Sequence, residues 1–308
     1  MARVLRTDRL RLGYFSGSVV SRVAREGGGY ARHGLEVAEH PVASSVEQIR
    51  ALLDGDLDLV LTSPDNVATY RFNTGNPLGR RADVRIVRPV DHGLGLSLLA
   101  APEVSGPEAL RGAAVAVDVP NSGFAFALYA VTESAGLRPE RDYRVVALGS
   151  TPRRAAALRA GDCAATLLNA GHDVDAEAVG CRRLARVVDV VGPYLGAVLA
   201  ARGDWLDRNE QVVVRFLQAW SEATARVLDA DAGPPERGLP DPTIATLRSP
   251  GEGVILDPRV DLTALRTVID LRDRFGGFEP GVDVAAVRDG GLGLLDERFT
   301  SATIVQSD

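Results

Sequence analysis

Residues 51–66 read ALLDGDLDLVLTSPDN and residues 157–172 read ALRAGDCAATLLNAGH, so that Ala51, Leu52, Gly55, Asp56 and Leu61 coincide with Ala157, Leu158, Gly161, Asp162 and Leu167. A phrase repeated at this distance implies one structural unit built twice, and the residues before each copy extend the echo. The alternating stretch Leu10 to Tyr14, the small-residue turn Ser16 to Ser18 and the helically spaced VVSRVARE answer to AAVAVDVP at 113–120, Asn121 to Gly123 and FAFALYAVTESAG. Gly34-Leu35 and Gly136-Leu137 suit helix ends in the left-handed conformation. LEVAEHPV and YRVVALG then read as second strands, and Ser44-Ser45 and Ser150-Thr151 as N-caps of a second helix in each unit. Gly55-Asp56 and Gly161-Asp162 end those helices before a third strand. Each unit is therefore β-α-β-α-β, which predicts a mainly parallel sheet with helices on both faces.

In open sheets of this kind, ligands bind outside the carboxyl ends of the strands, where helix N-termini present free N–H groups. Two such units facing each other make a cleft. Its walls are expected from Tyr14 to Ser18 and Ser63 to Asn66 on one side, and from Asn121 to Gly123, Ser150-Thr151 and Asn169 to His172 on the other. The amphipathic stretches NEQVVVRFLQAWSEATARVLDA and LTALRTVIDLRDRFGG have no sheet of their own and are expected to return to the first unit. The chain then divides into a first lobe of residues 1–93 with 198–308 and a second of 94–197, with a hinge near 90–100 and 190–200.

Composition narrows the chemistry. A chain of 308 residues, 45% hydrophobic, has ample material for two cores. Its net charge of −6 gives no basic field for nucleic acid, and no stretch is apolar and long enough for membrane insertion. All 35 basic residues are arginine, which removes lysine Schiff bases, lysine general bases and the P-loop lysine. The glycine runs at 27–29 and 290–293 lack dinucleotide and Walker spacings and read as turns. Cys163 and Cys181 form no CxxC or zinc pattern, and Cys163 reads as a small buried residue. No metal or cofactor is expected. The amino-terminal stretch has no apolar h-region, so the chain as written is expected in the cytoplasm, and in the periplasm or outside the cell only if a leader has been removed.

LRLGYFSG, GYARHGLEVAEHPV, ALLDGDLDLVLTSPDN, PEALRGAAVAV, ALRAGDCAATLL and ARGDWLDRN together resemble the substrate-binding proteins for nitrate, sulfonates and taurine, over about residues 9–295. The resemblance implies a two-lobed type II periplasmic-binding-protein-like α/β fold that closes on a small organic molecule, often a sulfonate, a carboxylate or an aromatic compound. It also implies an ABC permease as partner if the protein is exported. The same superfamily holds the synthases of the thiamine pyrimidine precursor. Those use a lysine for pyridoxal phosphate and a cysteine-rich motif, and this chain has neither.

Most of the candidate ligand residues have a structural alternative. Ser16 and Ser63 are candidates from their place on the cleft wall, and Asp65 and Asn66, after a strand end and a proline, either touch a ligand or cap the next helix. Asn121, Ser122 and Gly123 start a helix whose dipole suits an anionic head, or are an ordinary cap. Asn169 and His172 sit in the echoed loop of the second unit. Tyr14, Phe15 and Tyr194 are aromatic walls for a planar ligand or core residues. His92, at the hinge, and His172 are the acid–base candidates if the protein is an enzyme, with Asp65 as carboxylate partner. Two functions are thus in play: closure on a small anionic or aromatic ligand without chemistry, or a cytoplasmic decarboxylase, lyase or hydrolase on the same fold.

Overall fold

A computed structural model describes residues 7–301; the terminal residues 1–6 and 302–308, assigned above to the first lobe, lie outside the described residues. The strands are β1 (Asp8–Tyr14), β2 (Leu35–Pro41), β3 (Leu59–Thr62), β4 (Val84–Asp91), β5 (Ser97–Ala100), β6 (Ala114–Val117), β7 (Arg144–Ala147), β8 (Ala165–Leu168), β9 (Arg182–Arg186) and β10 (Ala197–Arg202). They form two five-stranded sheets of order β2-β1-β3-β10-β4 and β7-β6-β8-β5-β9. In each sheet the first three strands are parallel and the fourth runs antiparallel to both neighbours. The fourth strand of each sheet follows a crossing from the other, through residues 91–97 or 187–197. Helices flank both sheets, giving an α/β protein of two lobes.

The repeated phrase has a local cause. The helices Ser45–Asp54 and Thr151–Ala160 end at Gly55 and Gly161, whose φ angles of 83° and 80° lie where a side chain is disfavoured. In one copy Asp56 N donates to Ala51 O and Gly55 N to Leu52 O; in the other Asp162 N donates to Ala157 O and Gly161 N to Leu158 O. This is the Schellman termination made twice. The strands that follow, β3 and β8, are buried along their whole length, as central parallel strands are.

Helix Gly203–Leu228 starts earlier than its amphipathic stretch predicts, and Asn209 (φ −127°, ψ 24°) marks the kink where that stretch begins. It covers the first sheet. Trp220 and Phe216 are fully buried there, and Tyr30 stacks on Phe216 at 5.5 Å. Helix Leu262–Phe275 departs from the expectation of return to the first lobe alone, because it lies against both Pro64–Phe72 and Gly123–Ser134, helices of different lobes. Both cysteines are buried and unbridged, and burial pushes the Cys163 thiol up to about 11. Among the described residues, no helix is long and apolar enough to cross a membrane.

Candidate functional site

The carboxyl ends of both sheets face one cavity of about 200 Å³. Five helices of eight residues or more start on its wall: Val19–Glu26, Ser45–Asp54, Pro64–Phe72, Gly123–Ser134 and Thr151–Ala160. Ser18, Ser44, Ser63 and Ser122 each cap their own helix by accepting a backbone N–H. Ser150, which lines the cavity, makes no such cap bond. Phe15, Phe124, Leu61, Val90 and Val254 give the wall its apolar part. The rims meet closely, since a Cβ added to Gly149 would stand 3.5 Å from Ala43 O.

Of the residues singled out from the sequence, Phe15, Ser16, Ser63, Asn66, Ser122, Gly123 and Asn169 line this cavity. The loops Ser63 to Asn66 and Asn169 to Gly171 therefore open on the same cavity. Tyr14, Asp65, His92, Asn121, His172 and Tyr194 do not line it, and each has a physical reason. Tyr14 ends β1 and packs on the first-lobe core. Asp65 is 0% exposed and turns away from the cavity into a two-bond pair with Arg272 (Nε–Oδ1 and Nη2–Oδ2, both 2.6 Å). Asn121 accepts from the same guanidinium at 3.0 Å. Tyr194 is buried, its hydroxyl 3.5 Å from Gly123 O, and burial raises its phenol. His92 is tied by its backbone N–H to Gly253 O. His172 starts helix His172–Ala178 beside the lining residues Gly171 and Asp173 without lining the cavity itself; burial, with Arg159 and Arg154 nearby, holds its imidazole below the ordinary value. The acid–base pair and the carboxylate partner expected of an enzyme are thus not assembled at the cavity.

The charged lining is largely what the sequence did not flag. Arg154, only 2% exposed, has no ion-pair partner among the described residues: Nε donates to Thr166 Oγ1, Nη1 to Gly149 O, and Nη2 to Thr151 Oγ1 and Leu167 O. Five N–H groups meet four acceptors, leaving one on Nη1. Burial lowers its pKa, and Asp118 opposes that shift. Asp118 accepts from Ser122 Oγ, and burial raises its carboxyl. It stands at the start of Gly123–Ser134, so the anionic head expected at Asn121 to Gly123 meets a carboxylate already in place. Asp173 is held by Arg183 at 3.0 Å, and Arg22 by Glu236 at 2.6 Å. Thr243 comes from helix Asp241–Arg248; it is 5% exposed and its hydroxyl has no hydrogen-bond partner among the described residues. Asp118 could have been suspected from its place between strand and helix. Arg154 could have been found one turn beyond Thr151, whereas Thr243 carries no local signal.

Asp91 joins the two crossings. Its Oδ1 accepts from Gly93 N at 2.8 Å, its carboxylate also from Ala197 N, and its carbonyl from Gly196 N at 2.9 Å. Burial pushes its carboxyl up to about 6. Because the folded value lies above the unfolded one of about 3.9, the native state holds this proton more tightly. The associated stability is complete below about pH 4 and is lost as pH rises to about 6, in total about 3 kcal/mol. Asp91→Asn is expected to remove this falling limb. Denaturant melts of both proteins from pH 4 to 7 check it, and parallel profiles would refute it.

Among the described residues, no group of acidic, histidine or cysteine side chains could hold a metal. Two lobes joined by two crossings, with a ligand-sized cavity between their strand ends, are the architecture of the periplasmic substrate-binding proteins. Residues 6–234 match the NMT1-like family model, and the chain belongs to that family. Solved structures agree at the level of fold. The nitrate-binding protein NrtA of Synechocystis PCC 6803 has a TM-score of 0.71 at 14% identity, over 92% of this chain and 86% of that one. The alkanesulfonate-binding protein SsuA of Xanthomonas axonopodis pv. citri, bound to MOPS, has 0.67 at 17%, over 97% and 98%. The aliphatic sulphonate binding protein SsuA of Escherichia coli has 0.62 at 21%, over 87% and 86%. No curated protein matches the sequence.

Proposed function

We propose that this protein binds a small organic anion in the cavity, with the anionic head at the Ser150-Thr151 helix start beside Arg154 and an apolar body against Phe15 and Phe124. The observation that carries the reading is Arg154, a buried guanidinium without an ion pair among the described residues, in the first turns of a helix that lacks both a side-chain cap and an acidic residue there. Each helix N-terminus contributes about half a positive charge. Asp65 sits in the first turn of Pro64–Phe72, Asp118 at the start of Gly123–Ser134, and Glu47 in the first turn of Ser45–Asp54. Val19–Glu26 has no acidic residue in its first turn but is capped by Ser18; Thr151–Ala160, with neither, keeps its field for a ligand, and Thr243 offers a hydroxyl that a polar group would satisfy.

The same reading divides the lobes at 93/94 and 197/198 and places the hinge at the crossings that Asp91 ties together. Delivery of the ligand to an ABC permease would follow if the protein is exported, as it does for importers of this fold. Thermal melts with panels of small sulfonates, carboxylates and size-matched amines test the anion reading. A stabilising anion at a hundredfold excess over its Kd adds about 2.7 kcal/mol; stabilisation by amines alone would overturn the reading. Recovery of the bound anion unaltered after prolonged incubation separates a receptor from an enzyme.

A further inference from the structure

We infer that Arg272 is a positioning residue that latches the two lobes together from behind the cavity. It projects from helix Leu262–Phe275, which touches both lobes, and it is 1% exposed. One edge of its guanidinium grips Asp65 with two bonds of 2.6 Å. The rest reaches Asn121, donating to its side-chain oxygen at 3.0 Å and its carbonyl at 3.3 Å. Its carbon lies 4.6 Å from the Phe126 ring centroid. Asp65 directly precedes Asn66 and Asn121 directly precedes Ser122, so one buried cation bonds the immediate neighbours of wall residues in both lobes.

The surroundings reinforce the arrangement. Phe275 stacks on Phe126 at 6.0 Å and meets Tyr129 edge-on at 5.7 Å, while Arg274 pairs with Glu133. Gly123 is pressed so closely on the first lobe that an added Cβ would come within 2.6 Å of Asp65 Cβ. Two parallel bonds to a carboxylate outlast bonds to a neutral amide. On opening, Arg272 therefore stays with Asp65 and parts from Asn121. The Arg272–Asn121 contact sets how far the closed form is favoured, and through it the apparent affinity of the cavity. The functional consequence rests on the binding reading above, but the latch itself is measurable without any ligand.

The experiment uses the full chain carrying nitroxide labels at Arg50→Cys and Arg153→Cys. Both sites are exposed, on helices that start at the opposing rims, and the native cysteines are buried. Pulsed electron–electron distance measurements on the ligand-free protein then report the closed and open populations. Asn121→Ala is expected to shift the ratio toward long distances by about tenfold, the scale of one hydrogen bond to a charged group. Asn121→Asp, which gives Arg272 a charged acceptor, is expected to shift it toward short distances. Opposite shifts support the latch. A shift of both variants in the same direction, or in neither, with unchanged circular dichroism, overturns it. A working latch in a protein that binds none of the anions tested would sink the proposed function and leave this inference standing.

Discussion

Replacing Arg154 by glutamine is expected to weaken binding of a stabilising organic anion by about a hundredfold or more, roughly 3 kcal/mol, the scale for removing the charged partner of a desolvated anion. Two contributions act together. The anion loses its charge-assisted donor, and the carbonyls of Gly149 and Leu167, which accept from this guanidinium, are left short of partners. The second contribution lowers the melting temperature of the free protein; the first does not. Arg154→Lys separates them, since an ammonium keeps the charge without the planar fork. It is expected to recover part of the affinity and little of the lost stability. Calorimetric titration of both variants, with melts of the free proteins, reads the two contributions apart. Full affinity in Arg154→Gln would move the anion site elsewhere on the wall.

Asp65→Ala is expected to destabilise the fold by about 3–5 kcal/mol, because it leaves the Arg272 guanidinium buried without its counter-charge. For a chain of 308 residues that corresponds to a fall of about 5–8 °C in melting temperature. Removing both charges in Asp65→Ala/Arg272→Met is expected to recover much of the loss, since an apolar pair requires no desolvation of ions. Differential scanning calorimetry on the single and double variants completes the cycle. A double variant as unstable as the sum of the two singles would show that the charges do not act as a pair. The result bears on Asp65 itself, whose position after a strand end and a proline made it look like a ligand residue.

Much of the architecture was legible because it is encoded locally. Alternation, helical spacing, serine caps and the two Gly-Asp terminations each act within a few residues, so the repeated unit could be read directly from Gly55-Asp56 and Gly161-Asp162. Serines and asparagines at strand ends were legible as cavity lining for the same reason: Ser16, Ser63, Asn66, Ser122 and Asn169 are placed by the element that carries them.

What the sequence by itself determined was the twofold β-α-β-α-β plan, the absence of lysine chemistry and the end of each sheet at which a ligand could lie. Only the tertiary structure decided which polar residues remain available there. Asp65 and Asn121 are drawn off by Arg272, which lies far along the chain in a helix that gave no sign of straddling the lobes. Asp118 fills the helix start expected to receive the anion, while the Thr243 hydroxyl has no partner among the described residues and one N–H of Arg154 Nη1 is left over. The physical reason is that a buried charge takes its partner from whatever packing brings within about 3 Å. That distance is set by the docking of helices on sheets, and sequence separation carries no measure of it.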